Sequence, residues 1–159
     1  MSHRRRVLRI ALLGAATGLL AACSHMEHMG SMGGMMPRAS QVVTLTATLA
    51  GAQEVPPNDK PGTGQAEVTF NKDTLELKYR VTYAGLSGPA TGAHIHGPAA
   101  ATANAPVVVP FASTGSPISG ETRLNATQAG DLLAGLYYVN VHTAAHPGGE
   151  IRGQLRLKP

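Results

Sequence analysis

Alternation of apolar and polar positions dominates the chain from about residue 41 onward. In 42–49, Val43, Leu45, Ala47 and Leu49 fall on one side and Thr44, Thr46 and Thr48 on the other. In 64–70, Ala66, Val68 and Phe70 oppose Gln65, Glu67 and Thr69. In 74–83, Leu75, Leu77, Tyr79, Val81 and Tyr83 oppose Glu76, Lys78, Arg80 and Thr82. A period of two sends successive side chains to opposite faces of an extended chain, so each segment predicts a strand with one buried face. Asn71-Lys72-Asp73 is read as the hairpin loop between the last two. Further strands are expected at Gly92–His96, Val107–Phe111, Gly120–Leu124, Leu136–Thr143 and Glu150–Leu157, each bounded by Gly, Pro or Asn. One short helix is expected near 127–135, with Thr127 as its cap, Asp131 in its first turn and Gly135 at its end. The fold class is all-β: an antiparallel, Greek-key-like β-sandwich of about seven to eight strands over 41–159.

The first forty residues follow neither period. Arg4, Arg5, Arg6 and Arg9 precede an apolar run from Val7 to about Leu20, and small residues follow. That is the build of a secretory signal peptide over 1–22, with an apolar run too short for a confident membrane span. Leu20-Ala21-Ala22-Cys23 resembles the bacterial lipobox, whose cysteine is acylated. Cys23 is the only cysteine, which excludes an intrachain disulfide. The expectation is a lipid anchor on Cys23 in a bacterial cell envelope, on the periplasmic side of an outer membrane. The formal net charge of +4 changes meaning accordingly. Without the four leading arginines, basic and acidic residues balance, so the standing positive excess that nucleic-acid binding needs is absent.

Residues 23–40 lack apolar periodicity and are rich in Gly and Ser, which predicts a disordered tether. They nevertheless hold His25, Met26, His28, Met29, Met32, Met35 and Met36, every methionine of the chain except Met1. Thioethers suit Cu(I) and imidazoles suit copper in either state. Zinc is disfavoured by the lack of a thiolate. A sticky linker without a ligand is the plainer alternative.

In the folded part the chemistry lies with histidines. If Gly92–His96 is a strand with Ala93 and Ile95 inward, His94 and His96 share the outer face about 7 Å apart. In Tyr137–Thr143, inward Val139 and Val141 place Tyr138, Asn140 and His142 outward. The two segments give a three-histidine cluster if they are neighbours. His146, in the turn that follows, is a candidate fourth nitrogen. Histidines that merely brace loops are the alternative. Glu54, in Gln53-Glu54-Val55-Pro56-Pro57, is read as part of a polar loop bracing the sandwich edge. No nucleophile elbow, Cys-x-x-Cys, zinc-protease helix or phosphate loop is present.

The segments LTATLAGAQEVPP, TGAHIHGPA and LYYVNVHTAAHPGGEIRGQL together resemble the CHRD (chordin-type) domain family over about Leu45–Leu155. The resemblance implies an immunoglobulin-like or superoxide-dismutase-like sandwich. It leaves activity open. The pattern is also distantly similar to copper/zinc superoxide dismutase, in which an H-x-H strand and a later strand histidine bind copper. That likeness implies copper at His94, His96 and His142, and an anion-steering role for Arg152. There is no zinc loop, no bridging histidine and no disulfide, so it implies binding rather than efficient turnover.

The expected function is therefore a membrane-anchored copper-binding envelope lipoprotein. It would buffer copper, confer tolerance or exchange the ion with a donor or acceptor protein. A non-catalytic interaction or adhesion module is the alternative, and a redox enzyme comes third.

Overall fold

The longest alternating segments form the longest strands. The computed structural model of the protein describes residues 41–159. The signal peptide, Cys23 and the Met/His tether lie outside the described residues. Strands β1 (Val42–Ala50), β2 (Thr63–Asn71) and β3 (Glu76–Ala84) make a meander. Its register puts Leu45 opposite Val68 and Val68 opposite Tyr79, so one face is a continuous apolar row. In β2, Gly64, Ala66, Val68 and Phe70 are buried while Thr63, Gln65 and Glu67 are exposed, as the alternation requires.

The chain continues with β4 (Ala90–His96), β5 (Val107–Pro110), β6 (Ile118–Arg123), α1 (Ala126–Leu133), β7 (Tyr138–Thr143), β8 (Ile151–Gln154) and β9 (Arg156–Leu157). The nine strands of the described residues belong to one antiparallel sheet in the order β5-β4-β7-β8-β1-β2-β3-β6, with β9 on β1. The sheet folds over its own apolar face, giving the expected all-β, sandwich-like architecture. Across the interior Tyr79 of β3 stacks on Phe111, which follows β5, with ring centroids 4.2 Å apart. The core includes Leu45, Leu49, Val68, Phe70, Leu77, Val81, Ile95, Val139, Val141 and Ile151.

Three local readings change. The helix starts two residues earlier than expected. Asn125, not Thr127, is its cap: its side chain accepts from the Gln128 N–H while the Gln128 side chain accepts from the Asn125 N–H. Asp131 therefore falls beyond the first turn, while Gly135 does end the helix, with φ of 72°. The hairpin loop extends to Leu75, because the Asn71 carboxamide accepts from both Asp73 and Thr74 N–H groups. The C-terminal strand splits at Leu155, whose N–H bonds the Tyr137 carbonyl before the chain crosses to β1.

The largest departure concerns the outer face of β7. Alternation there predicts an exposed row, but Tyr138 and Asn140 are buried along with Val139 and Val141. Two loops cover them. One is Gly51–Asn58, which begins with a single 3₁₀ turn (Gly51–Gln53), and the other runs from Gly97 to Pro106. The strand histidines lie on this outer, polar side of the sheet.

Close approach of β8 to β1 fixes Gly153. A Cβ there would lie 2.3 Å from the Thr48 carbonyl oxygen, a backbone atom that cannot swing aside. Gly153→Ala is expected to lower stability by about 1–3 kcal/mol, the usual range for overpacking. Thermal unfolding followed by circular dichroism checks this, and an unshifted midpoint refutes the tight approach.

Candidate metal centre

The register of β4 on β7 assembles the site. Gly92 pairs with His142, His94 with Asn140, and His96 with Tyr138. Because β4 and β7 are neighbours and both direct these residues to the outer face, the three strand histidines meet. One ring nitrogen from each of His94, His96 and His142 lies within 4.8 Å of the others. Ring centroids are 4.9 Å apart for His94–His142, 5.4 Å for His94–His96 and 6.1 Å for His96–His142. Around an ion with metal–nitrogen bonds of about 2.0 Å, nitrogens sit about 3.3–4 Å apart. Small side-chain movements close the difference.

Backbone carbonyls decide which nitrogen faces inward. A carbonyl only accepts, so the ring nitrogen that meets it carries the proton. His142 Nδ1 donates to the Pro147 carbonyl at 3.0 Å, and His96 Nδ1 to the Ala105 carbonyl at 2.9 Å. The Nε2 atom of each is thereby left with its lone pair. His96 Nε2 is buried with no protein partner. His142 Nε2 lies 3.0 Å from His94 Nδ1. Since His142 Nε2 is the acceptor of that pair, His94 Nδ1 holds the proton. Two of the rings thus have the tautomer that could ligate through Nε2, and the third would need its proton moved to Nε2 before Nδ1 could do so.

Electrostatics favour the neutral form. Burial, followed by the neighbouring histidines His142 and His96, holds the His94 imidazole below its usual pKa. Burial foremost also lowers His142, with His96 adding and the Pro147 hydrogen bond opposing. Neutral imidazole is the form that binds metals.

The other expected site residues separate from this group. His146 is not part of the converging set. It lines a cleft of about 310 Å³ shared with Glu54, Asn104 and Pro147. Arg152 stands beside Asn140 in the register but is 1% exposed. Its Nη1 donates to Asn104 Oδ1 at 3.0 Å, and its Nη2 to the Ala103 carbonyl at 2.8 Å and the Ala100 carbonyl at 3.4 Å. An arginine enclosed and committed in this way does not steer an anion from solvent, which corrects the role expected for it. Cys23, His25, Met26, His28, Met29, Met32, Met35 and Met36 are outside the described residues.

The CHRD domain family matches residues 45–155. The chain belongs to this family. No curated protein and no solved structure matches the chain. The match places the whole histidine-bearing face within the CHRD domain, with both covering loops.

Sequence reasoning missed the groups that complete this face. The Ala105 and Pro147 carbonyls have no side-chain signature. Glu54, read as part of a polar loop bracing the sandwich edge, is enclosed: it is 5% exposed and its Oε1 has no partner. A Cβ on Gly149, at φ of 129°, would lie 2.5 Å from that oxygen, so the CHRD domain needs glycine there. Burial pushes the Glu54 carboxyl up to about 7, against the opposing pulls of Arg152 and the Val55 N–H.

A carboxyl whose pKa is raised on folding binds more protons folded than unfolded between about 4.5 and 7. Its contribution to stability is full below that window, falls through it and levels off above. Glu54→Gln removes the dependence. The melting temperature of Glu54→Gln minus that of the wild type is expected to rise from pH 4.5 to 7 and then flatten. A difference independent of pH would refute the burial of this carboxyl.

Proposed function

We propose that this CHRD protein is a copper-binding protein of the bacterial cell envelope, lipid-anchored through Cys23. Its role would be to buffer copper or hand it to a partner protein. The observation that carries the reading is the convergence of three imidazoles, two of them with Nδ1 held by a backbone carbonyl, which leaves Nε2 as the nitrogen free to ligate. An all-nitrogen donor set without carboxylate or thiolate suits copper among the available metals, and zinc next. The five methionines and two histidines of the 23–40 segment favour copper over zinc, because thioethers bind Cu(I) well. His94, His96 and His142 are the proposed ligands on the domain. His25, Met26, His28, Met29, Met32, Met35 and Met36 would capture copper and raise its local concentration.

The reading favours storage or transfer over catalysis. The arginine that would have drawn in an anion is occupied by the covering loop. Ligation through His94 Nδ1 would move its proton to Nε2, with no net release from the neutral ring; uptake would weaken in acid, because an imidazolium has no lone pair to give.

Copper titration of the full chain tests this, read by electron paramagnetic resonance for Cu(II) and by chelator competition for Cu(I). The wild type is expected to give a nitrogen-rich Cu(II) spectrum at one equivalent. The His94→Ala/His96→Ala/His142→Ala variant should lose it. Replacing the five tether methionines with leucine should weaken Cu(I) binding and leave the Cu(II) spectrum intact. Copper should also raise the melting temperature of the wild type, because only the folded state holds the site. Binding undiminished in both variants overturns the proposal, and no copper-dependent shift in melting returns the chain to the class of interaction modules.

A further inference from the structure

His96 is the most enclosed of the three histidines, at 8% exposed, and both groups that fix its ring lead to the same distant side chain. The first is Tyr138. Its ring lies parallel to the His96 ring, with an interplanar angle of 4° and centroids 5.0 Å apart. The second is the Ala105 carbonyl, which holds the proton on Nδ1. Arg152 touches both. Its Cζ sits 3.4 Å from the centroid of the Tyr138 ring. Its Nη atoms hold the Ala100 and Ala103 carbonyls and the Asn104 side chain, directly ahead of Ala105. Tyr138 closes the circuit, since its hydroxyl accepts from the Ala105 N–H at 3.1 Å. β7 lies between β4 and β8, so His96 and Arg152 approach Tyr138 from strands on either side of it.

We infer that Arg152 is a positioning residue for His96, setting its ring plane through Tyr138 and its tautomer through the Ala100–Ala105 loop. The inference rests on the proposed reading of the histidines as metal ligands. The guanidinium's hydrogen bonds to Ala100, Ala103 and Asn104 all go to the loop, which fits a clamp rather than an anion receptor. Arginine is required in this place. A planar guanidinium lies flat on an aromatic face while its edge donates in several directions, whereas an ammonium offers one point of charge. Holding the loop down in turn keeps water from His96 Nε2, which is buried and without a protein partner.

Groups that orient a metal ligand from outside its coordination sphere typically change affinity by about 10–100-fold when removed. The test begins with the metal-free full chain. Long-range nitrogen–proton correlation spectra identify which His96 ring nitrogen carries the proton in the wild type, Arg152→Lys and Tyr138→Leu. The wild type is expected to show one tautomer, protonated at Nδ1. Arg152→Lys keeps the charge but loses the fork, and is expected to give mixed tautomers. Its Cu(II) affinity should fall about 10–100-fold, with one nitrogen fewer in the paramagnetic spectrum. Tyr138→Leu keeps the guanidinium and removes the ring, and it reads the same link if Arg152→Lys does not fold. A folded variant that retains a single Nδ1-protonated His96 and wild-type affinity overturns the inference. A wild type that binds no copper overturns the metal reading alone, because the tautomer change is read without metal.

Discussion

A guanidinium enclosed at 1% exposure must find acceptors, because an uncompensated buried charge costs several kcal/mol. Arg152 finds them in the Ala100 and Ala103 carbonyls and the Asn104 side chain, and it finds a π-face in Tyr138. Satisfying this one charge brings a loop down over β4, β7 and β8. Asn104 extends the tie, since its amide nitrogen donates to the Val55 carbonyl and joins the second covering loop to the first. Gln154 adds a further pin, donating to the carbonyls of Ala99 and Gly135. The outer face of β4, β7 and β8 is thus closed by polar contacts, while the inner face of the sheet is closed by apolar packing.

The two faces obey different physics. Inside, burial of Leu45, Val68, Phe70, Ile95 and Val141 is non-directional and tolerates small adjustments. Outside, each buried polar group requires a partner in a set direction. Buried Glu150, just ahead of β8, meets the same demand: its carboxylate accepts from the Ser87 N–H and hydroxyl and from the Thr143 hydroxyl, all within 2.7 Å. Burial raises its pKa, but the combined hydrogen bonds from Ser87 and Thr143 outweigh that and leave it below the usual range. Glu54 lacks such a set and goes the other way.

This division also explains what could be read from sequence. The strands and the core face were legible because apolar alternation is a local signal. Ala93, Ile95, Val139 and Val141 point inward as their spacing requires. The trio His94, His96 and His142 was legible for the same reason, once β4 and β7 proved to be neighbours. What alternation cannot report is whether an outward face meets water or a loop. Tyr138, Asn140 and Arg152 have the right parity for solvent and are buried nonetheless. The role expected of Arg152 failed on that point. The covering loops have no periodicity, and their contributions at Ala105 and Pro147 are made by backbone atoms that any residue possesses. The helix cap was misplaced because Asn125 and Thr127 are both competent caps, and only the reciprocal bond with Gln128 separates them.

The hydrogen bond between His94 Nδ1 and His142 Nε2 has one further consequence. A cluster of lone pairs pointing at each other across an empty centre is electrostatically unfavourable. Here one proton bridges two of the three rings, and the lone pair that would otherwise face its neighbour is satisfied. The pair of rings is therefore satisfied by the protein itself. Under the proposed copper reading, a cation would compete with that proton for the lone pair, which suits an exchangeable site better than a permanent structural one.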